Sequence, residues 1–133
     1  MLIVRVNAQT QRAEYIWYDG NEGKPEKGLM FNEMRSKTKC IPKAITSMNP
    51  KDFPSWSFDG SSTGQAEGNN SDCILRPCFI CPDPIRGGDD VLVMCDVLDP
   101  DSVPHVSNTR AMLAAIINDK VKAERPLFGF EQE

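Results

Sequence analysis

The last residues of the chain, Leu127-Phe-Gly-Phe-Glu-Gln-Glu133, carry two acids separated by one position. In an extended strand, residues i and i+2 project to the same face. Glu131 and Glu133 would then share one side, with α-carbons roughly 6.5–7 Å apart at about 3.3 Å of rise per residue. Two carboxylates held this way repel each other, so they require a positive partner or open water. Oxygen-rich pairs of this kind suit magnesium or manganese. The plainer alternative is two solvated acids. Phe128 and Phe130, on the other side, would anchor a buried strand and keep the acids from forming a loose tail.

A second candidate is Ser55-Trp-Ser-Phe-Asp-Gly-Ser-Ser-Thr63. The two aromatics need burial, which fixes the end of a short strand. Asp59 then projects where the chain turns. A fixed carboxylate beside Ser61 and Ser62 could hold a small cation through charge-assisted hydrogen bonds. Alternatively, Asp59 satisfies its own loop backbone in an Asx-type turn.

Other chemistry finds little support. His105, the single histidine, lies in the Pro-flanked stretch Val103-Pro-His-Val106, and the sequence alone argues no nucleophile–histidine pair there. There is no phosphate loop and no dinucleotide fingerprint. Cys78-Phe-Ile-Cys81 lacks the second pair that a two-plus-two zinc site requires. Flanked by Pro77 and Pro82, it reads as small, partly buried hydrophobes.

These residues must be positioned by surrounding elements. Ala13–Asp19 is aromatic and β-branched and ends at Gly20, which predicts a strand. Leu29–Lys39 alternates and predicts a second strand hairpinned to the first. Ile41–Pro54 looks irregular, and Gly60–Ser71 looks like a surface loop with little to bury. Cys73–Pro77 and Cys78–Cys81 predict short strands broken by Pro77, and Pro82–Gly88 a turn. The apolar run Val91–Val97 predicts a central strand covered on both faces. Ser107-Asn108 can cap a helix from about Thr109 to Ala123. Met112, Leu113, Ile116, Ile117 and Val121 would form its buried stripe, and Leu127–Glu133 would follow as a strand.

With 133 residues, the chain is large enough for one domain with a real core, but not for two full domains. Apolar residues make up 40%, charged residues 26%, and the formal charge is −4. That balance argues against nucleic acid or an anionic membrane as partner. No apolar stretch of about 20 residues is present to span a membrane. Five cysteines, an odd number, favour reduced thiols in a reducing compartment.

Taken in order, several stretches resemble glutamine synthetase. They are Ala13-Glu-Tyr-Ile-Trp-Tyr-Asp-Gly20, Met34-Arg-Ser-Lys-Thr-Lys39, Trp56-Ser-Phe-Asp-Gly-Ser-Ser-Thr-Gly-Gln65 and Cys73-Ile-Leu-Arg-Pro77, then Asp83-Pro-Ile-Arg-Gly-Gly88, Val91-Leu-Val-Met-Cys-Asp96 and Phe128-Gly-Phe-Glu-Gln-Glu133. The resemblance runs from Ala13 to the end and looks like the eukaryotic rather than the bacterial branch. It implies an α+β fold: a β-grasp-like mixed sheet over 13–100, then 105–133 as the first helix and strand of a truncated catalytic domain. It implies ATP-dependent formation of glutamine from glutamate and ammonia through γ-glutamyl phosphate, in a ring of identical or related subunits that share active sites. Asp59 is implied in binding and deprotonating ammonium, with Ser62 supporting it. Glu131, on the ATP side, and Glu133, on the glutamate side, are implied as ligands of Mg2+ or Mn2+. A cytoplasmic location is implied, or a plastid if a presequence is missing. A stand-alone, non-catalytic β-grasp interaction module is the alternative.

On this reading the chain supplies two metal carboxylates and no nucleotide pocket. The purified 133-residue chain is expected to yield neither γ-glutamyl phosphate nor glutamine from glutamate, ammonium and ATP. Detection of either product would overturn that expectation.

Overall fold

The computed structural model describes residues 10–21, 32–42, 44–129 and 131. Strand β1 (Gln11–Tyr18) buries every second residue: Gln11, Ala13, Tyr15 and Trp17. That alternation is what one covered face demands. Strand β2 (Met34–Ile41) pairs with it antiparallel, Tyr15 facing Lys37 and Trp17 facing Arg35, as the expected hairpin requires. The expected residues 29–31 of that strand lie outside the described residues.

Strands β3 (Trp56–Asp59), β4 (Asp72–Pro82) and β5 (Val91–Leu98) complete a mixed sheet in the order β2-β1-β5-β4-β3. The apolar run of β5 lies at its centre, parallel to β1 and antiparallel to β4. Pro77 does not divide β4 into two strands as expected. The strand continues through a register shift between Pro77 and Phe79. Side chains alternate with period 2, so an extra residue changes which parity faces inward. It lets Leu75 and Ile80, an odd number of positions apart, both lie in the buried core.

The sheet curls. Its outermost strands, β2 and β3, approach each other on the inner side, where Lys37 Nζ donates to Ser57 O at 2.7 Å and lies 3.7 Å above the Trp56 ring. Inside the curl, Tyr15 packs edge-on to Trp56 at 5.5 Å, and Trp17 lies against Phe58 at 4.8 Å. Leu75, Val93 and Cys73 are fully enclosed beside them. Burial pushes the Tyr15 hydroxyl up to about 12, and the hydroxyl donates to Pro54 O at 2.7 Å. Among its described residues, the expected irregular stretch Ile41–Pro54 contains one 3-10 turn, Pro50–Asp52.

The carboxy-terminal expectations need correction. Asn108 caps a helix as predicted, accepting from the amide of Ala111. The helix does not run to Ala123. It divides into α1 (Thr109–Ile116) and α2 (Asp119–Glu124). Asn118 is the reason: its side chain accepts from the Val121 amide and starts a new helix. The expected buried stripe is not buried, with Met112, Leu113 and Ile116 51%, 56% and 63% exposed. Among the described residues after Glu124, none forms a strand, and Leu127 and Phe128 are exposed. An apolar helix face and an extended segment need a partner layer to bury them. No helix among the described residues is long and apolar enough to cross a membrane.

The turn between β4 and β5 is held by two carboxylates. Asp83 accepts from the amides of Arg86 and Ile85 and from the Arg86 guanidinium. Chiefly through the Arg86 amide, then its guanidinium, the Asp83 carboxyl is lowered to about 2. Asp90 is likewise lowered, first by the Arg12 amide and then by its guanidinium. A carboxyl depressed below its unfolded value of about 3.9 stabilises the fold fully above that pH and loses its contribution as pH falls through the folded value. The thermal midpoint is therefore expected to change little between about pH 7 and 5 and to fall from about pH 4 to 2. Asp83→Asn should flatten that acid limb, and a limb of unchanged steepness in differential scanning fluorimetry would refute the assignment.

Candidate functional site

Asp59 closes β3, and its position is fixed from both sides. Before it, Phe58 is buried against Trp17. After it, Gly60 is buried where nothing larger fits: a Cβ would lie 2.6 Å from Cys73 Sγ and 3.1 Å from Ala66 Cβ. The Gly60 amide donates to Ser71 O at 2.7 Å, and its carbonyl accepts from the amides of Gln65 and Ala66. These bonds close the 3-10 turn Gly60–Thr63. The stretch from Gly60 is thus less of a bare surface loop than its composition suggests, since Gly60, Thr63 and Gln65 are buried.

Asp59 caps this turn. Its Oδ1 accepts from the Ser61 amide at 2.9 Å and from Ser61 Oγ at 2.6 Å. Ser62 Oγ donates to the Asp59 backbone oxygen at 3.0 Å, not to its carboxylate. The Asx-type turn is therefore present, yet the Asp59 side chain remains exposed. The two readings of this residue are compatible. The Ser61 hydroxyl, followed by the Ser61 amide and the Ser71 side chain, lowers the Asp59 carboxyl below its ordinary value and keeps it ionised. A fixed, charged, solvent-facing carboxylate can attract a small cation.

A second layer holds the turn against the end of β1. The Gly20 amide donates to Thr63 O at 2.8 Å. A Cβ on Gly20 would come within 2.7 Å of both Gln65 Cγ and Gly64 O. Beside it, Asp19 is fully buried. A buried carboxylate is tolerable only when paired and hydrogen-bonded. Asp19 Oδ2 accepts from Arg35 Nε, Arg35 Nη2 and Asn21 Nδ2, while Oδ1 accepts from the amides of Asn21 and Glu33. The Asp19–Arg35 pair thus ties the end of β1 to the start of β2, one residue before the close approach. Sequence reading missed Asp19, Arg35 and Gln65. The available signal was an acid followed by glycine at the end of an apolar strand.

The two expected metal ligands are less advanced. Glu131 is exposed and outside any helix or strand. Phe128, meant to anchor it, is exposed too. Glu133 and Phe130 lie outside the described residues. Carboxylate oxygens are suitable donors for Mg2+ or Mn2+. Among the described residues, however, no three His, Cys, Asp or Glu side chains come together to hold an ion, so further ligands are needed.

His105 has a structural place. Its Nδ1 accepts from the Ser107 amide at 3.1 Å and lies 2.9 Å from Ser107 Oγ. Cys78 and Cys81 are free and half-buried, with Cys78 Sγ donating to Met94 O and its thiol pushed up mainly by burial. They are packing residues, as their sequence context indicates.

Comparison with known proteins agrees with this arrangement. A family model described as glutamine synthetase, beta-Grasp domain, matches residues 9–100. A protein named "Glutamine synthetase, chloroplastic" from Chlamydomonas reinhardtii is 65% identical over 132 residues, 99% of this chain and 34% of that protein. A glutamine synthetase from Streptomyces viridochromogenes is 52% identical over 124 residues, covering 93% of this chain and 33% of that protein. A "Glutamine synthetase, chloroplastic/mitochondrial" from Arabidopsis thaliana is 45% identical over 122 residues, 91% of this chain and 26% of that protein. The similarity to the algal protein extends towards the amino terminus beyond Ala13, where the resemblance was expected to begin. The chain spans about a third of the length of these relatives or less. With a family match over most of its length and a curled mixed sheet that fits it, the chain belongs to the glutamine synthetase family.

Proposed function

We propose that this chain serves glutamate–ammonia ligation, the ATP-dependent formation of glutamine from glutamate and ammonia through γ-glutamyl phosphate, and that it contributes the ammonia-side carboxylate. The observation that supports this best is Asp59: an exposed carboxylate fixed at a turn anchored on both sides. Ammonium cannot act as a nucleophile until it gives up a proton. A rigid carboxylate both attracts the cation and can accept that proton as the amine nucleophile forms. Ser62 supports this indirectly, by tying its hydroxyl to the Asp59 backbone and stiffening the turn.

Residues 105–133 are read as the opening of the catalytic domain. Glu131 and Glu133 would bind Mg2+ or Mn2+, whose charge would neutralise phosphate oxygens of ATP. The remaining ligands, the nucleotide pocket and the glutamate site would lie outside these 133 residues. Identical or related subunits arranged in a ring are the proposed source of a shared site. The exposed face of α1 is compatible with burial against such a layer. The compartment is read as cytosol or plastid, and the chloroplast names of algal and plant relatives favour the plastid.

The test uses a synthetase in which this chain replaces the matching third of the Chlamydomonas relative. Asp59→Ala is expected to raise KM for ammonium and to lower kcat by about 100-fold or more, the usual scale for losing a general base. KM for ATP should change less than about twofold, since the interaction removed is not one with nucleotide. An unchanged ammonium dependence would remove Asp59 from this role.

A further inference from the structure

Gln65 is almost completely buried, 3% exposed, and its carboxamide joins three parts of the chain. Oε1 accepts from Thr63 Oγ1 at 2.8 Å. Nε2 donates to Tyr18 O, at the end of β1, at 3.0 Å. The same nitrogen donates to Ser107 Oγ, just before α1, at 2.9 Å. A backbone carbonyl can only accept, so the bond to Tyr18 O fixes which end of the amide is nitrogen. Both amide hydrogens are then committed. Ser107 Oγ receives one of them and lies 2.9 Å from His105 Nδ1, which accepts from the Ser107 amide. The network thus runs from Gln65 through Ser107 to His105.

This side chain is bound to the Asp59 turn through its own backbone. The Gln65 amide donates to Gly60 O, the carbonyl of the residue that follows Asp59. The turn has other anchors, Gly20 to Thr63 and Gly60 to Ser71. Among the described residues, the Gln65–Ser107 bond is the only hydrogen bond joining the 59–66 stretch to the linker 99–108. That linker is itself fixed to β5, with His105 N and Asn108 Nδ2 both donating to Val97 O.

We infer that Gln65 is a positioning residue, which registers the Asp59 turn, and so the Asp59 carboxylate, to the linker leading into α1. The inference rests on the reading of Asp59 given above. Proton transfer from ammonium and attack on an acyl phosphate require both reactants in one geometry, and small misplacement of a catalytic group is costly in rate. A buried amide with three committed hydrogen bonds is stiff enough to transmit that registration.

Ser107→Ala removes the acceptor for Gln65 Nε2 together with the hydroxyl's contact to His105 Nδ1. Gln65→Glu keeps size and shape but sets a carboxylate against the Tyr18 carbonyl. In the chain itself, hydrogen exchange at the amides of Gln65 and Ala66 is expected to speed up about threefold or more in both variants, with β5 amides unchanged. In the chimeric synthetase, KM for ammonium should rise about three- to tenfold while KM for ATP stays within about twofold, the scale of one buried hydrogen bond. Ser107→Thr, which retains a hydroxyl, should remain close to the parent in both measurements. Unchanged exchange, an unchanged ammonium KM, equal rises in all substrate KM values, or a Ser107→Thr defect matching that of Ser107→Ala would each overturn the inference. If Asp59→Ala leaves ammonium dependence untouched while Ser107→Ala still loosens the turn, the functional reading fails and the structural link stands.

Discussion

One closure supports the rest of this domain. A five-stranded sheet buries its inner face by curling until its two outer strands meet. Tyr15, Trp17, Phe58 and Val93 fill the space so formed, and aromatic side chains of this size dominate the energetics of a small core. The same contact that drives burial also sets geometry. Because Phe58 is held against Trp17, the residue after it must emerge at a defined point on the rim. Asp59 is therefore placed by the core and not by its own loop alone.

Around that point, polar groups do what apolar packing cannot. Asp19 is a buried charge surrounded by five donors, which makes its arrangement with Arg35 and Asn21 hard to vary. Its neighbour Gly20 lets the Asp59 turn come close enough for a direct backbone bond. Hydrogen bonds from Ser61 to the capping Asp59 then stiffen the turn and keep the acid charged without hiding it. Rigidity and accessibility are met together because the carboxylate binds donors from its own turn.

Much of this was legible from residue order. The unbroken apolar run at Val91–Val97 could only be a strand covered by neighbours, and it lies at the sheet centre. The aromatic, β-branched strand Ala13–Asp19 and the halt at Asp59-Gly60 were equally readable. Two things were not. Pro77 looks like a break, but a bulge absorbs it, because pairing with β5 on either side outweighs one missing donor. Periodicity at Met112–Val121 suggests one stripe but says nothing about what covers it, and Asn118 competes for the backbone midway, leaving only Met112, Leu113 and Ile116 on α1. Gln65 was invisible for another reason: a lone polar residue among Gly, Ser and Asn carries no sign of burial until its three partners are brought together from distant parts of the chain.

Lys37 and Lys39 sit on the inner side of an outermost strand, in register with Tyr15 and Ala13, with their ammonium groups over Trp56. Crowding by burial and by each other makes Lys37 easier to deprotonate than an ordinary lysine. A foreign β-strand adding to β2 would have to face these inward cations, and the curl leaves little flat margin to extend. Self-association of this molecule by strand addition is thereby disfavoured. Any stickiness is shifted to the uncovered helix stripe of Met112, Leu113 and Ile116, which has no edge of unpaired amides to template a fibre.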